Sequence, residues 1–164
     1  MLAWVEHSVF QTMSELATLY QPCETGGCLL GYWVQPLKEI VICNIIGAGP
    51  NAQHLRHMFV PDDEWQSSEI AKIYTDSGCL FSYLGDWHSH PAEHASADLS
   101  WRDRKTLRKI ATYSPARTPH PIMGIIAKGE SWFWKIWCYR LKEYGIISMG
   151  TKQQINEIRI YKEE

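Results

Sequence analysis

Residues 80–113 read LFSYLGDWHSHPAEHASADLSWRDRKTLRKIATY, and most of the fold and chemistry can be read outward from them. The first part, LFSYLGDWHSH, alternates apolar with small or polar residues, the period of a strand. Pro91 ends it, because proline has no amide hydrogen to offer a ladder. A polar loop, PAEHASAD, follows. In LSWRDRKTLRKIATY the apolar residues Leu99, Leu107, Ile110 and Ala111 mark one face among basic residues, which predicts a helix closed by Pro115. His88 and His90 therefore fall at the carboxyl end of a strand. Alternate strand residues point to one side, so both imidazoles can meet one metal ion.

Upstream, Val9, Phe10, Met13, Leu16, Ala17 and Tyr20 recur at spacings of three and four, predicting a helix over 8–20 that Pro22 stops. CLLGYWV and KEIVICNII are short apolar runs separated by a Pro36-containing turn, the pattern of an antiparallel hairpin. Residues 48–61, AGPNAQHLRHMFVP, show no clean period. The next segment opens on acids suited to a helix amino end and finishes at Gly78, so a second helix is expected over 62–76. Downstream, PIMGIIA and SWFWKIWCYR are strands joined at Lys128-Gly129-Glu130, and NEIRIY is a last edge strand. Helices interspersed with hairpins and crossovers make an α/β or α+β domain with a mixed sheet. No repeat or linker divides the 164 residues, so one domain over 1–164 is expected.

A formal net charge of -2, with both signs scattered, leaves no basic field to attract nucleic acid or anionic lipid. No run reaches the roughly 18 apolar residues of a membrane span, and the first twenty residues lack the basic start and apolar stretch of a signal peptide. Five cysteines without a CxxC pair argue for reduced thiols and a cytoplasmic protein. Eight tryptophans are assigned chiefly to the core, where buried indoles need hydrogen-bond acceptors.

Asp103, on the predicted helix, is close enough in the chain to add a carboxylate to His88 and His90, leaving a fourth metal position for water. Ser100 precedes it by one helical turn and can hydrogen-bond an oxyanion. The plainer reading of Ser100 and Asp103 is a helix cap with an acid near the dipole. His94 is a solvated loop histidine or a substrate contact. Glu24 could be an exposed acid in a turn, and Gly26 and Gly27 a tight turn with positive backbone angles.

GDWHSHP followed by SWRD resembles the JAMM motif of the MPN domain, HxHP with a downstream SxxD. Glu24-Thr25-Gly26-Gly27-Cys28-Leu29-Leu30-Gly31 is similar to the upstream ETGGxLLG segment of the same family. The loop between His90 and Asp103 is two residues longer than the family spacing. Strict spacing lands on Trp101, so the carboxylate ligand is Asp103 with the longer loop or Asp98 with a shorter one. Ser100 favours Asp103 and leaves Asp98 as a helix cap.

The resemblance implies a sheet wrapped by helices, a cytidine-deaminase-like three-layer arrangement, with one zinc ion per chain on His88, His90 and Asp103. It implies Glu24 as acid/base and Ser100 as oxyanion donor. The activity it implies is hydrolysis after the carboxyl terminus of a ubiquitin-like protein, as deconjugation or precursor processing. The setting is a bacterial ubiquitin-like system with its activating and conjugating enzymes, including phage defence. Two alternatives stand beside it: a metal-free MPN scaffold, and a zinc hydrolase of a small amide or carbamate.

Overall fold

The computed structural model describes residues 1–144 and 147–162, so the last two residues of the expected domain lie outside the described ones. It starts with a strand that periodicity did not announce, β1 (Leu2–Glu6), running straight into helix α1 (His7–Leu19). The Glu6 carboxylate caps that helix by accepting from the Ser8 amide at 2.8 Å. Val9, Met13 and Ala17, spaced by four, form its buried face. The expected hairpin is β2 (Gly26–Gln35) and β3 (Glu39–Ile46), paired antiparallel.

The aperiodic stretch holds a second small hairpin, β4 (Gln53–Leu55) with β5 (Met58–Val60), forming a sheet of its own. Helix α2 (Asp63–Asp76) follows. Asp62 caps it by accepting from the Trp65 amide at 3.2 Å, and the chain turns away at Gly78, whose φ is 64°. Next come β6 (Ser82–His90), helix α3 (Trp101–Thr112), a 3-10 turn at Ser114–Ala116, β7 (Ile122–Lys128) and β8 (Trp132–Tyr144). The last strands are β9 (Ile147–Gln154) and β10 (Glu157–Tyr161).

Eight strands form one mixed sheet in the order β10-β1-β3-β2-β6-β7-β8-β9. NEIRIY is indeed an edge strand, but it pairs in parallel with β1, bringing the two ends of the chain together. Helix α1 covers one face, where Val9 and Met13 pack with Leu29, Leu84, Trp87 and Ile126. Helices α2 and α3 lie on the other. Trp65, Ile70 and Ile73 of α2 pack on Cys28, Leu30 and Ile46, while Leu107 of α3 packs on Met123, Ile125 and Tyr139. The alternation of Cys28 and Leu30 against Leu29, and of Met123 and Ile125 against Ile122 and Ile126, is the period-two strand rule filling both faces. The result is three layers, as expected. No helix among the described residues is long and apolar enough to cross a membrane.

The strands β6 and β7 are parallel and joined through α3, so the carboxyl end of β6 opens between α2 and α3. Gly26 and Gly27 are not the positive-angle turn considered above. They are strand residues paired with His88 and Trp87, and they are small because neighbours crowd them. A Cβ on Gly27 would stand 1.8 Å from the Ile46 carbonyl oxygen. Gly27→Ala is therefore expected to overpack β2 against β3 and cost about 1–3 kcal/mol or more, measured by urea unfolding. Unchanged stability would show that the two strands can separate without penalty.

Candidate metal centre

His88 and His90 stand on the α2–α3 face of β6, and Ser89 between them points into the opposite layer. Their Nε2 atoms are 3.1 Å apart. Two ligands on one tetrahedral zinc at 2.0–2.1 Å would stand about 3.3 Å apart, so the spacing suits a shared ion. The His90 Nδ1–H donates to the Ser96 carbonyl at 2.6 Å, which fixes the tautomer and leaves Nε2 with its lone pair outward. Burial pushes the His88 pKa down to about 4, the Asp103 carboxylate opposing the shift and His90 adding to it. A neutral ring makes the 3.5 Å contact of His88 Nε2 with Asp103 Oδ1 two ligand atoms facing one point, not an ion pair. The ligand atoms of His88, His90 and Asp103 all lie within 4.8 Å of one another.

Ser100 and Asp103 form the helix cap, and the ligand reading is compatible with it because it calls on different atoms. Ser100 is the N-cap of α3, and its Oγ accepts from the Asp103 amide at 3.2 Å. Asp103 Oδ2 in return accepts from the Ser100 amide at 2.6 Å, completing a capping box. The box occupies one carboxylate oxygen and turns the other toward His88. Asp98 does not cap the helix: its carboxylate is exposed and pairs with Lys135 at 2.8 Å and with the Ser96 hydroxyl. The helix begins three residues later, at Trp101, so Ser100 has the cap position.

The longer loop, residues 91–100, is anchored rather than loose. Ala97 and Leu99 are buried beside Met123 and Tyr139, and the Trp137 indole donates to the Ala97 carbonyl at 3.0 Å. Trp137 and Lys135 of β8 thereby hold the stretch that presents the Ser96 carbonyl to His90. His94, in the same loop, is exposed with a φ of 59° and does not line the central cavity.

Glu24 is half-buried and faces the same cavity as His88, His90, Ser100 and Asp103. Its segment is fastened on two sides. The fully buried Ser89 donates its amide to the Thr25 carbonyl at 2.7 Å and accepts from the Thr25 amide on Oγ at 3.0 Å. The Glu24 amide donates to the Leu55 carbonyl at 2.8 Å, and His54 Nδ1 donates to the Glu24 carbonyl at 3.1 Å. Desolvation raises the Glu24 pKa above the usual glutamate value, with His90 pulling it down and Asp103 pushing it up. The cavity has a volume of about 1340 Å³ and runs between α2, α3 and the β4–β5 hairpin.

Residues 6–137 match the family model of prokaryotic homologs of the JAB domain. The chain belongs to that family. A chain from Sinorhizobium fredii, named "Probable metalloprotease y4qB", is 36% identical over 162 residues, spanning 98% of both chains. The solution structure of protein DSY2949 from Desulfitobacterium hafniense shares the fold, with a TM-score of 0.62 at 18% identity. It covers 99% of this chain and 94% of that one.

Several residues that shape this JAB-family site carry no motif signal: Ser89, Ser96, His54, and the pair Tyr83 and Asp86. A bulge at Leu84 brings that pair to the same side of β6 as the histidines, and the Tyr83 hydroxyl donates to Asp86 Oδ1 at 2.6 Å. Burial pushes the Asp86 pKa up to about 6, Tyr83 opposing the shift and Asp63 adding to it.

Two outcomes follow from this geometry. In a zinc titration Asp103→Ala should weaken binding by more than about 100-fold, beyond what loss of a second-shell partner costs, and Asp98→Ala far less. The reverse order would move the carboxylate ligand to Asp98. Ser89→Ala should speed hydrogen exchange of the Thr25 amide and cost about 1–3 kcal/mol of stability, with Ser89→Thr restoring both. Unchanged exchange at Thr25 would show that the Ser89 hydroxyl does not hold the Glu24 segment.

Proposed function

We propose that this JAB domain is a zinc-dependent metallopeptidase that cuts the bond after the carboxyl terminus of a ubiquitin-like protein. Convergence of Glu24, from the segment that leads into β2, on the His88, His90 and Asp103 cluster carries the reading. Two imidazoles and one carboxylate are the donor set of a catalytic zinc site with an open fourth position. Zinc held there supplies Lewis acidity for the attacking water and the scissile carbonyl.

The protein's own residues do the rest. Glu24, with its backbone held by Ser89 through Thr25 and by Leu55, takes a proton from the attacking water and returns one to the leaving nitrogen. Ser100 spends an oxygen lone pair on the helix cap, so its hydroxyl hydrogen remains to donate to the developing oxyanion. The capping box holds Asp103 in place for its ligand role.

The size of the cleft favours a protein tail over a small amide or carbamate: about 1340 Å³ exceeds the usual range of small-molecule sites, about 300–1,000 Å³. The full set of Glu24, His88, His90, Ser100 and Asp103 speaks against a metal-free scaffold. The printed name of the Sinorhizobium relative agrees with a peptidase.

The zinc-loaded protein, incubated with ubiquitin-like proteins bearing carboxyl-terminal extensions, should release the extension at one site, read by mass. Glu24→Gln should keep its zinc and lose at least about a hundredfold in rate. Cleavage of N-acyl amino acids or carbamates with every fusion intact would favour the small-molecule reading. Failure to retain zinc after mild purification would remove the enzyme reading.

A further inference from the structure

Asp86 has no part in the chemistry assigned above, yet it occupies the same face of β6 as His88 and lines the same cavity. Its Oδ1 accepts from Tyr83, and among the described residues Oδ2 has no hydrogen-bond partner. No lysine or arginine among them forms a salt bridge with it. Another acid, Asp63, lines the same cavity. A half-buried carboxylate with one oxygen open to the cavity and no basic side chain paired to it offers an acceptor to a cation from outside. The basic residues that line the cavity on α3, Arg102 and Lys109, are both exposed to solvent.

From Asp86 to His88 is two strand residues, about 7 Å along the backbone. That is the length of one long side chain. The cavity that both residues line also has Met58, Phe59, Ile70 and Met123 in its wall, and Met123 of β7 is the register partner of Asp86. Such a wall accepts an aliphatic stem, and a carboxylate at its end accepts a charged head.

We infer that Asp86 is a specificity-determining residue that receives an arginine or lysine side chain of the substrate, from a residue within two positions of the bond that is cut. The inference rests on the peptidase reading for its meaning but names a recognition step that can be measured without turnover. Tyr83 holds Oδ1, so the carboxylate is already oriented when the cation arrives, and Oδ2 makes the new bond. An uncharged long side chain gains only the apolar wall.

The binding test uses N-acetyl-arginine amide and its uncharged analogue N-acetyl-citrulline amide on the zinc-loaded protein, followed by NMR shifts. Arginine amide should bind about tenfold more tightly than citrulline amide, and Asp86→Asn, which still accepts from Tyr83, should erase the difference. Equal binding of the two amides, or a preference that survives in Asp86→Asn, overturns the inference and leaves the peptidase reading untouched.

The turnover test uses ubiquitin-like fusions randomised at three positions on each side of the junction. Products of the unmodified protein should be enriched in arginine or lysine at one of the two positions nearest the cut on either side, and products of Asp86→Asn should not. Cleavage without that enrichment overturns the inference alone. Absence of any cleavage, with the arginine preference intact in the binding test, overturns the ubiquitin-like reading while the Asp86 site stands.

Discussion

The paired hydrogen bonds between Ser89 and Thr25 are the constraint on which the rest of the site depends. They join two segments 64 residues apart in the chain, one bearing both imidazoles and the other bearing Glu24. Because strand side chains alternate, Ser89 can turn into the buried layer while its two neighbours face the cleft. The serine thus fixes the register of the Glu24 segment against the two histidines of its own strand. The glycines that follow Thr25 allow this closeness, since any side chain on Gly26 or Gly27 would meet the backbone of β6 or β3.

A second constraint comes from the start of α3. A helix amino end needs acceptors for its free amides, and a metal needs a carboxylate held still. Asp103 answers both because a carboxylate has two oxygens, one satisfied by the Ser100 amide and the other turned toward His88. The loop before it is pinned from β8 by Trp137 and Lys135. Indole donors elsewhere also find acceptors, Trp87 on the Ile46 carbonyl and Trp132 on the Thr18 hydroxyl; of the eight tryptophans expected chiefly in the core, only Trp87 is fully buried, Trp101 is exposed and the rest are half-buried.

Much of this was legible from residue spacing. The three helices each pack one face on the sheet, the β2–β3 hairpin is a pair of apolar runs around a proline turn, and the histidine pair at a strand end announced itself. Strand β1 did not, because Val5, Val9 and Met13 continue one helical spacing across the strand–helix junction. The β4–β5 hairpin has no buried residue, and Thr151, Lys152 and Gln153 of β9 are all exposed, so neither leaves an apolar period. For Ser100 and Asp103, cap and ligand share one local signature, and only the direction of each oxygen separates them. Ser89 depends on a partner 64 residues away, and Asp86 on a bulge that turns Tyr83 to its side, neither of which local pattern encodes.

The parallel pairing of β10 with β1 matches Leu2 to Glu157 and Glu6 to Tyr161. Contacts of such long sequence separation close late, because chain entropy must be lost before they form. During synthesis the outer edge of β1 therefore stays unpaired until the β10 residues have left the ribosome, an open template for a neighbouring nascent chain. The order of translation, and not the metal, then sets the interval in which this protein is most exposed to self-association.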